Sequence, residues 1–438
     1  MSLTKVDLKP YWNQNEKTVD RMDVTITVTG LSYKEGERLC GMQLSTVTIP
    51  GCEPETLSIC DELGDIPVQS CEEQPYPYQW RRWNAQRDIK GNIVIHYAVR
   101  TRVLKPEDIC GPYFDFRSEE GGANSAGFSI IMDIEKADEA KLTWDLSCMP
   151  EGSRGICTFG EHMITNVTLE KLRQSYFAMG QLHAIEEGDF GFYWMSQPPF
   201  DMEEVAEYTK KLFGHMQKFF KDTEKVYRIF VRKDPFVTSG GTALYRSYLF
   251  GWNETQPCSL HDRKAILAHE MVHNWPQLND NPYGVTTWYS EGTAEYYSVL
   301  LPLRLGLISD EEAAAICWKD RRAQRLVYGR GMIFFINTDI RIRQATNGKK
   351  CVDDVVLSIL EKDRAGDTLG NEVFLSVVKE ISGLDVRSEW EAMHTGKEIV
   401  PLSGGFDGRF AVREKEIEEA DTKNTVRSWQ WIKKEEGK

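Results

Sequence analysis

Over the first 160 or so residues, apolar side chains alternate with polar ones in short runs, the period-two pattern of half-buried strands. Runs at residues 24–29, 44–49, 92–99, 128–132 and 142–146 predict strands, with turn clusters such as Glu119-Glu120-Gly121-Gly122 between them. After Asn166 the period lengthens. Leu169, Leu172, Tyr176 and Phe177 fall at helical spacing, and Asp201 with Glu204 forms a capping box after Pro198 and Pro199. That helix should bury Val205, Tyr208, Leu212 and Phe219. Residues 225–231 and 242–250 predict two more strands, and 265–275 a helix. Another helix begins near Glu291, and Ser309 with Glu312 caps the next. Helices follow at about 353–361 and 372–381, the second stopped by Gly383. From Phe406 two short alternating stretches, the second ending in Trp429-Gln430-Trp431-Ile432, are compatible with a closing hairpin. The pattern divides the chain into a β-rich segment 1–160, a mixed segment 161–305, a helical segment 306–402 and a tail 403–438.

Composition narrows the class. A chain of 438 residues exceeds one compact core. Its 53 basic against 67 acidic residues, a net charge of −14, argue against nucleic acid or an anionic membrane as partner. The start, MSLTKVDLKPYW, lacks a basic and then apolar leader, and no run approaches the ~18 apolar residues of a membrane span. Of ten cysteines, Cys40, Cys52, Cys60, Cys71 and Cys110 crowd the first quarter, yet no C-x-x-C pair occurs. Together these predict a cytoplasmic protein with reduced thiols, in which the sequons at Asn166 and Asn253 are chance matches.

The chemistry lies in His269-Glu270-Met271-Val272-His273. On a helix, positions i and i+4 share a face, so both imidazoles can meet one metal ion. Glu270 then faces a water on that metal and can serve as general base. Trp288-Tyr289-Ser290-Glu291-Gly292 supplies a third ligand on the next helix, with 17 residues between His273 and Glu291. A two-His, one-Glu set is that of zinc peptidases built like thermolysin, and one Zn²⁺ per chain is expected. Glu295, one turn on, could accept a hydrogen bond from a ligand imidazole, read a substrate amine, or simply be solvated. The neutral reading, a surface helix with an incidental histidine pair, fits poorly with the apolar surroundings Ala265, Ile266, Leu267, Ala268, Met271 and Val272.

Longer segments carry a resemblance. WYSEGTAEYYS resembles the W-x-x-E-G-x-x-x-Y-Y segment of gluzincin aminopeptidases, the glycyl aminopeptidase family above all. Val327-Tyr328-Gly329-Arg330-Gly331 is similar to that family's Tyr-x-Lys-Gly segment. DIRIRQATNGKKCVDDVVLSIL and FLSVVKEISGLDVRSEWEAM resemble its helical ending, and KVYRIFVR with TSGGTALYRSYLFGW its strand and Gly-rich edge strand. The likeness spans about 165 to 402. It implies an α+β fold: a β-rich amino-terminal domain, a thermolysin-like catalytic domain and a helical carboxyl-terminal part. It implies a zinc aminopeptidase acting on small peptides, in which Tyr328 hydrogen-bonds the oxyanion and Gly240, Gly241 and Thr242 bind substrate backbone.

The sequence departs from that family in three places. The His273–Glu291 interval is nearer that of the aminopeptidase N group, and the 36 or so residues after the helices leave no room for a PDZ domain. Ala243 stands where aminopeptidases commonly place a glutamate for the substrate amine, which makes Glu295 the candidate for that task and Glu254 the reserve. Two alternatives stay open: an endopeptidase on the same scaffold, and a zinc-stabilised peptide-binding protein without turnover.

Overall fold

The computed structural model describes residues 2–44, 54–75, 78–104, 111–235, 240–255, 259–316, 327–418 and 425–434. The chain forms two compact units, Met1–Ala206 with Glu224–Asp262, and Glu207–Thr223 with Arg263–Lys438.

The first unit is built of sheets. A seven-stranded sheet runs Ile164–Thr168, Glu139–Trp144, Leu3–Asn13, Thr18–Thr29, Ile93–Arg100, Ser58–Asp61, Gly64–Asp65. Its alternation is what the apolar pattern demands: Val6 faces Ile26, Leu8 faces Val24, and Ile26 faces Ile95 across the ladders, all fully buried. A five-stranded sheet is ordered His183–Glu187, Phe190–Trp194, Tyr227–Lys233, Ser247–Trp252, Gly241–Leu244. Its three middle strands are parallel, and Tyr227 to Arg232 are buried throughout, as befits strands covered on both faces.

Three expectations need correction. Residues 128–132 form a short 3₁₀ turn, Gly127–Ser129, and a loop rather than a strand. Their backbone is satisfied without a ladder, because the Tyr97 hydroxyl donates to Ile130 O and accepts from Met132 N, each at 2.9 Å. The helix from Leu169 ends at Arg173, and Tyr176–Gly180 is a strand between Gly122–Ala126 and Arg154–Cys157. Sheet pairing on both sides outweighs the helical spacing. Residues 242–250 are a hairpin, not one strand, turning at Arg246, whose φ is 51°. Of the predicted strand 44–49, residues 45–49 lie outside the described residues.

The second unit is helical. Asp201 Oδ1 accepts from the Glu203 and Glu204 amides and opens the helix Met202–Phe219, along which the unit boundary falls. Leu260–Val272, Thr287–Arg304, Asp310–Ile316, Val327–Ala345, Val352–Arg364, Asn371–Ser382 and Arg387–His394 follow. Ser309 and Glu312 cap Asp310–Ile316 reciprocally, and Gly383, at φ 75°, stops Asn371–Ser382. The tail is an antiparallel hairpin, Phe410–Glu418 with Thr425–Lys433. Trp429 and Trp431 bury the same face of it, and Trp431 packs on Phe406. Among the described residues no helix is long and apolar enough to cross a membrane, and Cys60, Cys71, Cys148, Cys157 and Cys351 are free thiols; Cys52, Cys110, Cys258 and Cys317 lie outside them.

Candidate metal centre

The site is assembled from three helices of the second unit. Leu260–Val272 is anchored by Leu267, Ala268, Met271 and Val272, all with no exposed surface, which fixes the opposite rotation of His269 and Glu270. His273 sits in the turn that ends this helix, its carbonyl held by Gln277 Nε2 at 3.0 Å. The chain is then pinned by Trp275, which stacks on Phe220 and donates to Asp222. Asp280 closes the following loop by accepting from the Gly284 and Thr286 amides and the Thr286 hydroxyl. From there Thr287–Arg304 carries Ser290, Glu291 and Glu295 back past the histidines.

Three donor atoms converge. His269 Nε2 and His273 Nε2 lie 3.1 Å apart, and Glu291 Oε2 lies 3.3 Å from the first and 3.6 Å from the second. A tetrahedral zinc with bonds of 2.0–2.1 Å spaces its donors by about 3.3–3.4 Å, so the three fit one ion. Glu291 Oε2 is buried yet makes no hydrogen bond of proper geometry. Lone pairs aimed at a common point rather than at one another are what a cation requires. Burial alone would raise the Glu291 carboxyl. The two imidazoles and the Tyr328 hydroxyl outweigh it and hold the group below its ordinary value.

The outer nitrogens are held as well. His269 Nδ1 is 3.2 Å from Glu295 Oε1, and His273 Nδ1 is 3.3 Å from Ser290 Oγ. An Nδ1–H donated outward leaves Nε2 as a lone pair facing inward, the arrangement metal-binding imidazoles use. Of the three roles open to Glu295, the contact with His269 is the one the geometry displays. Ser290 escaped the sequence reading, although its place beside Glu291 was the available signal.

Glu270 is 6% exposed, and its charge acts on both His269 and Tyr328. Tyr328 is the second residue of Val327–Ala345 and is partly exposed, its ring stacked 6.0 Å from that of His269. Burial and the charges of Glu291, Glu270 and Glu295 raise its pKa, which keeps the phenol protonated and able to donate. Two glycines bring it close. A Cβ on Gly331 would stand 2.6 Å from Trp288 O and 2.7 Å from Gly292 Cα. Only this glycine-on-glycine crossing lets Val327–Ala345 lie close enough to Thr287–Arg304 for Tyr328 to reach Glu291. Arg330, where the resemblance has lysine, donates to the carbonyls of Ala392, Met393 and Lys397 and so fixes the start of the tyrosine helix.

The remaining candidates belong to the first unit. Gly240, Gly241 and Thr242 open the edge strand of the five-stranded sheet, with Ala243 opposite Tyr248. Glu254 is exposed and paired with Lys233.

Comparison with protein-family models and with curated proteins gives no match. Solved structures do match. An aminopeptidase N family protein from Idiomarina loihiensis aligns over 97% of this chain and 81% of its own, at 13% identity and a TM-score of 0.75. An M1 zinc metallopeptidase from Deinococcus radiodurans aligns over 91% and 95%, at 15% identity and a TM-score of 0.56. Yeast LTA4 hydrolase aligns over 92% and 69%, at 14% identity and a TM-score of 0.55. The chain shares the fold of these aminopeptidase N family and M1 zinc metallopeptidase structures. Its β-rich amino-terminal part and helical carboxyl-terminal part are those implied by the sequence.

Proposed function

We propose that this chain is a zinc-dependent peptidase that removes amino-terminal residues from small peptides. The observation that carries the reading is the convergence of His269 Nε2, His273 Nε2 and Glu291 Oε2 on one point, with Glu270 buried beside them. These three residues would hold one zinc ion, with Glu295 and Ser290 orienting the imidazoles. Bound there, zinc supplies Lewis acidity and lowers the pKa of a water towards ~7.

The chain's own groups do the rest. Glu270 takes the proton from the attacking water and passes it to the departing amine. Tyr328, kept protonated, donates to the oxygen on which negative charge develops, a contact that strengthens as the carbonyl becomes tetrahedral. Gly240, Gly241 and Thr242 set the open side of their strand alongside an extended substrate backbone. The Deinococcus metallopeptidase has been crystallised as a mutant bound to a Tyr-ser-ala substrate, and a two-domain M1 zinc metallopeptidase mutant with L-tryptophan and with L-arginine. Short peptides and single amino acids in a protein of this fold support the amino-terminal reading. The free thiols are in keeping with a reducing compartment, and we place the protein in the cytoplasm.

Ala243, in the position where a glutamate commonly holds the substrate amine, favours a second reading as an endopeptidase. Paired substrates decide between them. Glycyl and alanyl amides should be cut, and their acetylated forms should not, because an ammonium withdrawn from water needs a carboxylate partner. Internal cleavage of acetylated peptides at equal rates establishes the endopeptidase. Glu295→Gln tests the remaining carboxylate: weaker zinc binding, by about 10- to 100-fold, marks an orienting role. A raised KM for free-amine substrates with zinc retained marks an amine reader.

A further inference from the structure

The Gly-rich edge strand is poorly suited to stay in place by itself. Gly241–Leu244 has four residues, one of them glycine, follows Gly240, and pairs with Ser247–Trp252 alone in the sheet order. Glycine loses more freedom on ordering than any other residue. A strand that recognises an extended peptide by backbone pairing must be ordered beforehand, or binding bears that cost.

One buried side chain from a distant part of the same unit meets this need. Tyr113 is 1% exposed, and its Oη accepts from Gly240 N at 3.0 Å. Its own backbone N–H donates to Thr242 Oγ1 at 3.0 Å, and that hydroxyl donates to Gly241 O at 2.8 Å. Gly240 is thus gripped at both of its peptide groups, since its carbonyl accepts from Gly251 N at 3.0 Å. The tyrosine is itself held. The guanidinium of Arg232 stands 4.8 Å from its ring centroid, and Arg232, with no exposed surface, donates to Asp115 and Asn124 at 3.0 Å each. Gly251 makes the approach possible, because a Cβ there would stand 2.3 Å from Tyr113 Oη.

We propose that Tyr113 is the positioning residue of the substrate-reading strand, holding Gly240 to Thr242 in the extended register in which a peptide backbone adds to the strand's open side. The inference rests on the assignment of that strand to substrate binding, so the experiment separates the two. Tyr113→Phe keeps the ring and removes the hydroxyl that accepts from Gly240 N. Its KM for tetra-alanine should rise about three- to tenfold, the worth of one hydrogen bond. Its kcat, its zinc content and its KM for alanyl 4-nitroanilide, which has no extended backbone, should stay as in the unaltered protein. Exchange of the Gly240 amide should quicken.

An equal loss on both substrates, or a lowered Tm with both KM values unchanged, overturns the proposal, because a merely structural tyrosine behaves in that way. Gly241→Pro, which places an imide in the strand itself, is the reference. If it raises the KM for tetra-alanine while Tyr113→Phe does not, the strand reads substrate and Tyr113 is dispensable. If neither changes that KM, the strand assignment fails and the proposal falls with it. Should Tyr113→Phe fail to fold, Thr242→Val removes the other link, and an unchanged KM for tetra-alanine there overturns the proposal equally.

Discussion

Each unit of this molecule buries a cluster of ionisable groups, and the two clusters are built on opposite principles. In the first unit Arg102, Arg117 and Arg232 surround Asp115 and Asp234. The closest approaches there join donor to acceptor, such as Arg232 Nη1 to Asp115 Oδ1 and Arg117 Nε to Asp115 Oδ2, both at 3.0 Å. Burial opposes the Asp115 charge, but Arg232 and Arg117 outweigh it and hold its pKa below the ordinary value. In the second unit Glu270, Glu291 and Glu295 are gathered about His269 and His273, and the closest approach joins two ring nitrogens that both point inward. A cluster of matched opposite charges completes itself and serves the fold. A cluster whose lone pairs aim at one common point is completed by a cation and serves chemistry.

Substitutions at the second cluster should give the largest effects. Glu291→Ala removes a ligand, so zinc measured by atomic absorption should fall from one per chain towards none, with activity gone. Glu270→Gln removes proton transfer but no ligand: zinc should stay while kcat falls about 100- to 10,000-fold. Metal loss in Glu270→Gln, or normal zinc in Glu291→Ala, contradicts the assignment of these roles.

The first cluster should respond in the opposite currency. Asp115→Ala strands buried guanidinium groups and should destabilise by about 3–5 kcal/mol in urea unfolding, with zinc content in the folded fraction unchanged. If Asp115→Ala unfolds no more readily than the parent protein, the notion of a self-completing structural cluster is wrong.

Tyr328→Phe tests the edge of the metal site. With one donor to the developing charge removed, kcat and kcat/KM should drop together by about 100- to 1,000-fold, the fold intact by circular dichroism. A change of only a few fold returns Tyr328 to a packing role against His269.

The smallest expected effect is a pH dependence beside the first cluster. Glu119 accepts from Lys233 N and Asn124 Nδ2. Burial raises its pKa from 4.5 to about 7, against the lowering influence of Arg232 and Arg117. Because the folded state binds this proton more tightly than the unfolded chain, its contribution is complete below pH ~4.5 and is lost as pH rises through about 7. Glu119→Gln, neutral at every pH, should therefore show a smaller decline in Tm between pH 5 and 8 than the parent protein.

Much of the second unit's site was legible beforehand because it is local. His269, Glu270 and His273 lie within one turn and a half, and helical geometry alone places both imidazoles on one face. Glu291 was legible because Trp288-Tyr289-Ser290-Glu291-Gly292 places a glutamate near a helix start, with 17 residues between it and His273, and Glu295 because it stands one turn further along that helix. Other features were hidden because they join distant stretches. Nothing local to residues 128–132 shows that Tyr97 will satisfy their backbone, so an apolar run that looks like a strand becomes a turn. Nothing local to Tyr176 shows that strands on both sides will claim it.

By itself, then, the sequence determined the grouping of His269, His273 and Glu291, the β-to-helix order of the chain, and the helix ends whose capping residues lie within three positions of the backbone they satisfy. Those are short-range matters, decided by the 3.6-residue helical period and the two-residue strand period. Tertiary structure alone decided that the compact units cut across the sequence order, with residues 207–223 in one and 224–262 in the other. It alone decided that Gly292 meets Gly331 so that Tyr328 reaches Glu291, and that Tyr113 reaches Gly240 across 127 positions. Contacts of that kind depend on side-chain volume and on backbone approach between elements far apart in the chain, and periodicity carries no trace of either.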